Sequence, residues 1–250
     1  MTEPISAIII DDEKLGREVV KNYLKEYPSV SIAAECSNGF DGIKKITELK
    51  PDLIFLDIQM PKINGFEMLE LIDNPPVIIF TTAYDHFALK AFEVNAADYL
   101  LKPFSKVRFD EAFKKALLHL KDKPAQNSIV KNLIEEKDNK AEYLERIVIK
   151  DGTKIFIVPI ETVKYIEAQD DYVKIYSDSG NYLKQKTMKY FEAHLNPENF
   201  IRIHRSYIAA VDEIKNLELF EKESYRITLK DAKQLPVSKN GYEKLREILF

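Results

Sequence analysis

Short apolar runs alternate with amphipathic stretches through residues 1–120. The runs are Ala7–Ile10, Ser31–Ala34, Leu53–Leu56, Val77–Phe80 and Asp98–Leu101, each ending in a polar or turn residue. Between them lie helical patterns such as Leu15, Val19, Val20, Tyr23 and Leu24, then Ile43, Ile46 and Leu49. Strands alternating with helices predict a doubly wound α/β unit with a five-stranded parallel sheet covered on both faces. A last helix is expected from about Ser105, a suitable N-cap, through Phe109, Phe113, Ala116, Leu117 and Leu120.

From residue 146 the period changes to two. Arg146–Lys150 and Lys154–Val158 flank Asp151-Gly152, a hairpin signal. Tyr172–Tyr176 and Tyr182–Gln185 flank a second glycine-containing turn, and strand-like runs recur at Ile201–His204, Ile214–Phe220 and Tyr225–Leu229. Helical patterns at Thr187–Leu195 and Ser238–Leu249 interrupt them. This half is expected to be mostly β. Between the halves, a polar and charged stretch reads as a linker with a short helix at Ile129–Ile134. The expected division is 1–121, linker 122–145, and 146–250.

Composition narrows the class. Scarce glycine (7) and proline (11) exclude collagen-like and low-complexity chains. No apolar run approaches the roughly 20 residues of a membrane helix, and no basic cluster precedes an apolar stretch near Met1–Pro4. With Cys36 the only cysteine, no internal disulfide is expected and a cytoplasmic location suits the chain. The net charge of −4 divides into −4 for residues 1–123, −2 for 124–145 and +2 for 146–250. That small basic excess does not by itself announce a nucleic-acid partner.

Candidate chemistry gathers at the expected carboxyl ends of the strands, where a doubly wound sheet has its functional crevice. Asp11 and Asp12 follow the first strand, Asp57 ends the third, Thr81 and Thr82 the fourth, and Lys102 the fifth. Clustered carboxylates repel one another unless a cation neutralises them, and an all-oxygen set with open water positions suits Mg²⁺. A carboxylate there can attack a phosphoryl group to give an aspartyl phosphate, with Lys102 and Thr82 offsetting charge on its oxygens. Singly, each residue has an ordinary structural explanation: helix N-cap for Asp11-Asp12, loop start for Asp57, solvated surface for Lys102. A haloacid-dehalogenase-type phosphatase would need a second Asp where Gln59 stands, so a Mg²⁺-dependent enzyme is disfavoured.

These pieces, Asp11-Asp12, Asp57-Ile58-Gln59-Met60-Pro61, Asn64-Gly65, Thr82-Ala83, Tyr99 and Lys102-Pro103-Phe104, resemble the flavodoxin-like receiver domain of bacterial two-component response regulators. The resemblance implies that Asp57 accepts phosphate from a sensor histidine kinase. It makes Asp12 a direct Mg²⁺ ligand, Asp11 an outer one, and Asp57 and the Gln59 backbone carbonyl further ligands. Thr82, selected over Thr81 by the Ala that follows, would bond the phosphoryl group. Lys102 would pair with it, and Tyr99 would swing inward on activation.

Residues 146–250 resemble the LytTR DNA-binding domain, most specifically through Phe200-Ile201-Arg202-Ile203-His204-Arg205-Ser206-Tyr207-Ile208. Supporting stretches are Val163–Ala168, Asp171-Tyr172-Val173 and Leu235–Lys239. The resemblance implies double-stranded DNA contacts from Arg205 and Lys239, with Arg202, His204 and Tyr172 as further candidates. Arg205 suits bidentate reading of guanine, and Lys239 at a helix start suits a phosphate. Ala209-Ala210 replaces the family's usual Asn, and Gln169-Asp170-Asp171 is acidic for a DNA-facing loop. None of the four His pairs with Cys36 at metal-ligand spacing, so no structural zinc is expected. The whole reads as a cytoplasmic transcriptional regulator, not an enzyme and not inserted in a membrane, that forms a homodimer on phosphorylation and binds DNA half-sites. The competing reading is a phospho-responsive module whose β-domain binds a protein.

Overall fold

The computed structural model describes residues 4–84, 87, 94, 96–121, 143–152, 154–221 and 224–249. The chain divides into two compact units, residues 1–136 and 137–250. Most of the expected linker, including its short helix, lies outside the described residues.

In the first unit, β1 (Ile5–Ile10), β2 (Val30–Cys36), β3 (Leu53–Leu56), β4 (Val77–Thr82) and β5 (Asp98–Leu101) form one parallel sheet in the order β2-β1-β3-β4-β5. Helices α1 (Lys14–Leu24), α2 (Gly39–Leu49), α3 (Gly65–Glu70) and α4 (Lys106–Lys121) accompany it. β3 is buried at every position, as a central strand covered on both faces must be. On one face, Phe55 stacks on Phe109 of α4 with centroids 5.5 Å apart, and Phe109 on Phe113 at 6.2 Å. The expected N-cap is present, since the Ser105 hydroxyl accepts from the Arg108 N–H at 3.3 Å.

Asp98, at the start of β5, is buried and held by a bidentate pair of bonds from Arg108, both 2.8 Å, and by Lys115 at 3.1 Å. Burial pushes its carboxyl up, but the bonds from Arg108, the Tyr99 N–H and Lys115 outweigh this and hold it below the ordinary carboxylate range. A folded-state value below the unfolded one gives stability that is present at neutral pH and lost as pH falls through the folded value. Asp98→Asn should therefore destabilise the first unit by about 1–3 kcal/mol at pH 7. The deficit should shrink in acid, where the parent carboxyl is itself protonated. Hydrogen exchange at β4 and β5 of the full chain, followed against pH, reads this directly.

The second unit is built on a five-stranded antiparallel sheet ordered β10-β9-β8-β12-β11. Its strands are β8 (Val163–Gln169), β9 (Tyr172–Ser177), β10 (Gly180–Lys184), β11 (Phe200–His204) and β12 (Tyr207–Ala210). One face packs with the hairpin β6 (Arg146–Asp151) and β7 (Lys154–Pro159) and with α5 (Met188–His194). The other packs with the three-stranded sheet β13 (Ile214–Glu221), β14 (Ser224–Leu229) and β15 (Gln234–Val237) and with α6 (Lys239–Leu249). Ile208 and Ala210 enter the first core while Ala209 enters the second, as strand alternation requires. β8, β12, β15 and α3 are elements that hydrophobic periodicity does not announce. β8 and β12 are covered on both faces, β15 is four residues long, and α3 is a six-residue helix secured by an Asn64–Glu67 capping box. Among the described residues, no helix is long and apolar enough to cross a membrane.

Candidate functional site

The sheet order reverses between β1 and β3, and Asp11 and Asp57 follow those two strands on either side of the switch point. Lys102, directly after β5, donates to Asp57 Oδ2 at 2.9 Å and pairs with Asp11 Oδ2 at 2.8 Å. The carboxylate of exposed Glu13 stands 3.5 Å from the same ammonium, a neighbour the sequence pattern did not single out. Asp12 completes the group and is exposed: ligand oxygens of Asp11, Asp12 and Asp57 all lie within 4.8 Å of one another.

The backbone around the cluster is fixed. The Asp11 Oδ1 accepts from the Glu13 N–H at 2.9 Å and Asp57 Oδ1 from the Gln59 N–H at 3.3 Å. Arg17, one turn into α1, donates to the Asp11 carbonyl at 2.6 Å and the Asp12 carbonyl at 3.3 Å. Asp11-Asp12 is no N-cap pair: α1 begins at Lys14, and Glu13 occupies the cap without a side-chain bond. Gly16 has a steric reason to be glycine, since a Cβ there would stand 2.2 Å from Asp11 Oδ2.

Burial pushes the Asp11 and Asp57 carboxyls up, and Lys102 only partly offsets it; the two carboxylates also oppose each other. Lys102 is held above its ordinary value: burial disfavours its charge, but its bonds to Asp11 and Asp57 prevail. Three carboxylates and one ammonium leave an excess of negative charge in a partly dry crevice. That all-oxygen, under-neutralised set fits a hard divalent cation.

Thr82 and Thr81 are both buried at the end of β4. The Thr82 carbonyl accepts from the Lys102 N–H at 2.7 Å, and its hydroxyl accepts from the Tyr84 N–H at 3.4 Å. Half-buried Tyr99 donates its hydroxyl to the Tyr84 carbonyl, so Thr82, Tyr84 and Tyr99 form one chain of contacts.

The DNA-contact candidates meet at one end of the five-stranded sheet. β11 and β12 turn at Arg205-Ser206, and the Ser206 carbonyl accepts from Ala168 N–H at 2.9 Å, beside the β8–β9 turn that leads to Tyr172. Arg205, Lys239 and Tyr172 are exposed. The Ile203 carbonyl accepts from the Ser238 N–H at 2.9 Å and the Ser238 hydroxyl at 3.1 Å, while that hydroxyl also accepts from Gly241 N–H at 3.1 Å. Ser238 thus caps α6 and ties Lys239, its first residue, to the strand that leads into Arg205. His204 is half-buried, and its Nδ1 accepts from the Ser206 N–H at 3.2 Å. Burial and neighbouring Arg205 hold it below the ordinary imidazole range. Arg202 turns its guanidinium to Glu192 and to the Arg205 carbonyl.

Two families match. The response regulator receiver domain matches residues 7–114, and the LytTr DNA-binding domain residues 153–250. Sensory transduction protein LytT of Bacillus anthracis is 34% identical over 248 residues, 98% of this chain and 99% of that protein. Transcriptional regulatory protein BtsR of Escherichia coli K12 is 31% identical over 248 residues, with the same two coverages. The response regulatory domain of protein mrkE from Klebsiella pneumoniae is similar at 30% identity and a TM-score of 0.44, over 47% of this chain and 99% of that one.

Proposed function

Because this chain belongs to the response regulators that join a receiver domain to a LytTR DNA-binding domain, we propose that it is a cytoplasmic transcription factor switched by phosphorylation of Asp57. The carrying observation is the convergence of Asp11, Asp12, Asp57 and Lys102 at the carboxyl ends of β1, β3 and β5. Asp57 attacks the phosphoryl group of a sensor kinase's phosphohistidine, forming the new P–O bond as the P–N bond breaks. Asp11, Asp12, Asp57 and the Gln59 carbonyl would hold Mg²⁺. When bound, the ion supplies positive charge against the phosphoryl oxygens. Lys102 exchanges a carboxylate partner for the phosphoryl group, and the Thr82–Tyr84–Tyr99 chain carries the change outward.

Asp12→Ala should weaken Mg²⁺ binding and phosphorylation together. Lys102→Ala should spare Mg²⁺ binding and impair the response to phosphate, because its ammonium acts on the phosphoryl charge. Mg²⁺ titration of both variants against the parent separates the two roles, and an unchanged Asp12→Ala titration would remove Asp12 from the ligand set.

In the second domain, residues 146–250, Arg205 reads a base edge, Lys239 meets a phosphate, and Tyr172 and His204 flank them. Arg202 acts by holding the turn. Phosphorylation favours a homodimer, which makes the second half-site contact intramolecular, so a weak half-site affinity becomes useful. Arg205→Ala should cost about 1–3 kcal/mol on a selected site and relax choice at one base pair. Binding isotherms on a duplex with two half-sites, with and without a small acyl phosphate, test the scheme. Equal affinity in both states would end phosphorylation control. Exposed Asp170 and Asp171 favour a second reading, a protein-binding output domain, which would gain from undetectable DNA binding at low salt.

A further inference from the structure

The turn at Arg205 is built without a complete strand ladder. Pairing of β11 with β12 shifts register between Arg202 and His204, and there the Ile203 carbonyl accepts from Ser238, the cap of α6. A bulge of this kind re-aims the next residues and leaves their backbone dependent on other partners. At Arg205 that partner is a side chain: Arg202 Nη2 donates to the Arg205 carbonyl at 3.0 Å. An arginine with a second nitrogen unattached would swing, but here Nη1 donates to Glu192 Oε2 of α5 at 2.6 Å. The other oxygen, Oε1, accepts from Lys244 of α6 at 3.1 Å. One carboxylate therefore joins the helix that carries Lys239 to the guanidinium that fixes the Arg205 carbonyl. Burial raises the Glu192 carboxyl, but the bonds from Arg202 and Lys244 outweigh it and hold the group below the ordinary carboxylate range, so it is ionised at neutral pH.

We propose that Glu192 is a positioning residue for sequence reading: through Arg202 and Lys244 it locks the Arg205 turn and α6 into one frame before DNA arrives. This rests on the assignment of Arg205 as a base-reading residue. The inference is opposite in sign to simple electrostatics. An anion close to a DNA-binding end weakens attraction to phosphates, and its removal should strengthen binding to every sequence. A positioning role predicts that its removal weakens the selected site alone, since preorganisation lowers the ordering cost of the specific complex.

The test uses the full chain with a small acyl phosphate and Mg²⁺, a duplex selected from random DNA by the parent, and a scrambled duplex of the same composition. Glu192→Gln should lose about tenfold on the selected duplex, the equivalent of about 1.4 kcal/mol, with no loss on the scrambled one. Arg202→Lys, which keeps the charge but loses the two-pronged geometry, should do the same. It also serves if Glu192→Gln proves poorly folded. In an Arg205→Ala background, Glu192→Gln should cost nothing further, because the residue it positions is gone. Equal strengthening on both duplexes would overturn the proposal and leave Glu192 as a repelling charge. Full sequence preference in Arg205→Ala would overturn the base-reading assignment itself. Loss in Arg205→Ala with none in Glu192→Gln or Arg202→Lys would overturn positioning alone.

Discussion

Asp57→Ala should leave the full chain without any phosphoryl group after incubation with a small acyl phosphate and Mg²⁺, where the parent gains one. The effect is all or none because, among the described residues, no other carboxylate combines the required features. Asp12 is exposed and lacks the Lys102 bond, while the Asp11 side chain is more deeply buried than that of Asp57, 2% against 8% exposed, with its Oδ2 packed against Gly16. Misfolding does not account for this loss. Asp57 ionises against its burial and against Asp11, so its folded-state value lies above the unfolded one. For such a group the favourable contribution belongs to low pH and disappears as pH rises through the folded value. At neutral pH the carboxylate strains the unit, and Asp57→Ala should unfold no more readily than the parent. Intact-mass measurement reads the phosphoryl group, and thermal unfolding of both proteins without Mg²⁺ or phosphodonor reads the fold. Undiminished labelling of Asp57→Ala would move the acceptor elsewhere.

Gly241→Ala should cost the second domain about 2 kcal/mol and abolish selection of a DNA site, although helix propensity points the other way. In an exposed helix alanine is preferred over glycine by about 1 kcal/mol. Here a Cβ would stand 2.0 Å from the Ile203 carbonyl oxygen, 2.6 Å from its carbon and 2.9 Å from Ile203 Cα. All three are backbone atoms of a buried strand residue and cannot turn aside, so overlap of this kind costs about 3 kcal/mol. Relief requires α6 to retreat from β11, which breaks both Ser238 bonds to Ile203 and separates Lys239 from the Arg205 turn. Phosphorylation at Asp57 should be untouched. Hydrogen exchange over α6 and β11, with DNA binding by the phosphorylated full chain, measures both consequences. A more stable Gly241→Ala variant would show that helix and strand are free to separate.

The first unit was legible in sequence because its signals are local. β3 is a run of four apolar residues, the candidate residues end β4 or directly follow β1, β3 and β5, and the rim follows from strand order. What sequence did not disclose depends on contacts made across the fold. Gly16 reads as an ordinary helical glycine until the Asp11 carboxylate is seen against it. Arg202 and Lys244 lie ten and 52 positions from Glu192, and no periodicity links residues on a helix, a strand and another helix. β12 reads Tyr-Ile-Ala-Ala, and its two faces enter different cores, so neither alternation nor a helical stripe appears. The capping box at Asn64 was a local signal for α3 and could have been read.

The five-stranded sheet of the second domain is the middle layer of three, and the Arg205 turn projects from its end. Both cores are therefore needed to hold that turn: Phe200 and Ile208 belong to one, Ile201 and Ile203 to the other. In genetic terms, the target for inactivating the DNA-binding function is much larger than its contact surface. Alleles that abolish promoter recognition should arise in either outer layer, at Phe191 as readily as at Leu235, and only a minority should fall on residues that touch DNA.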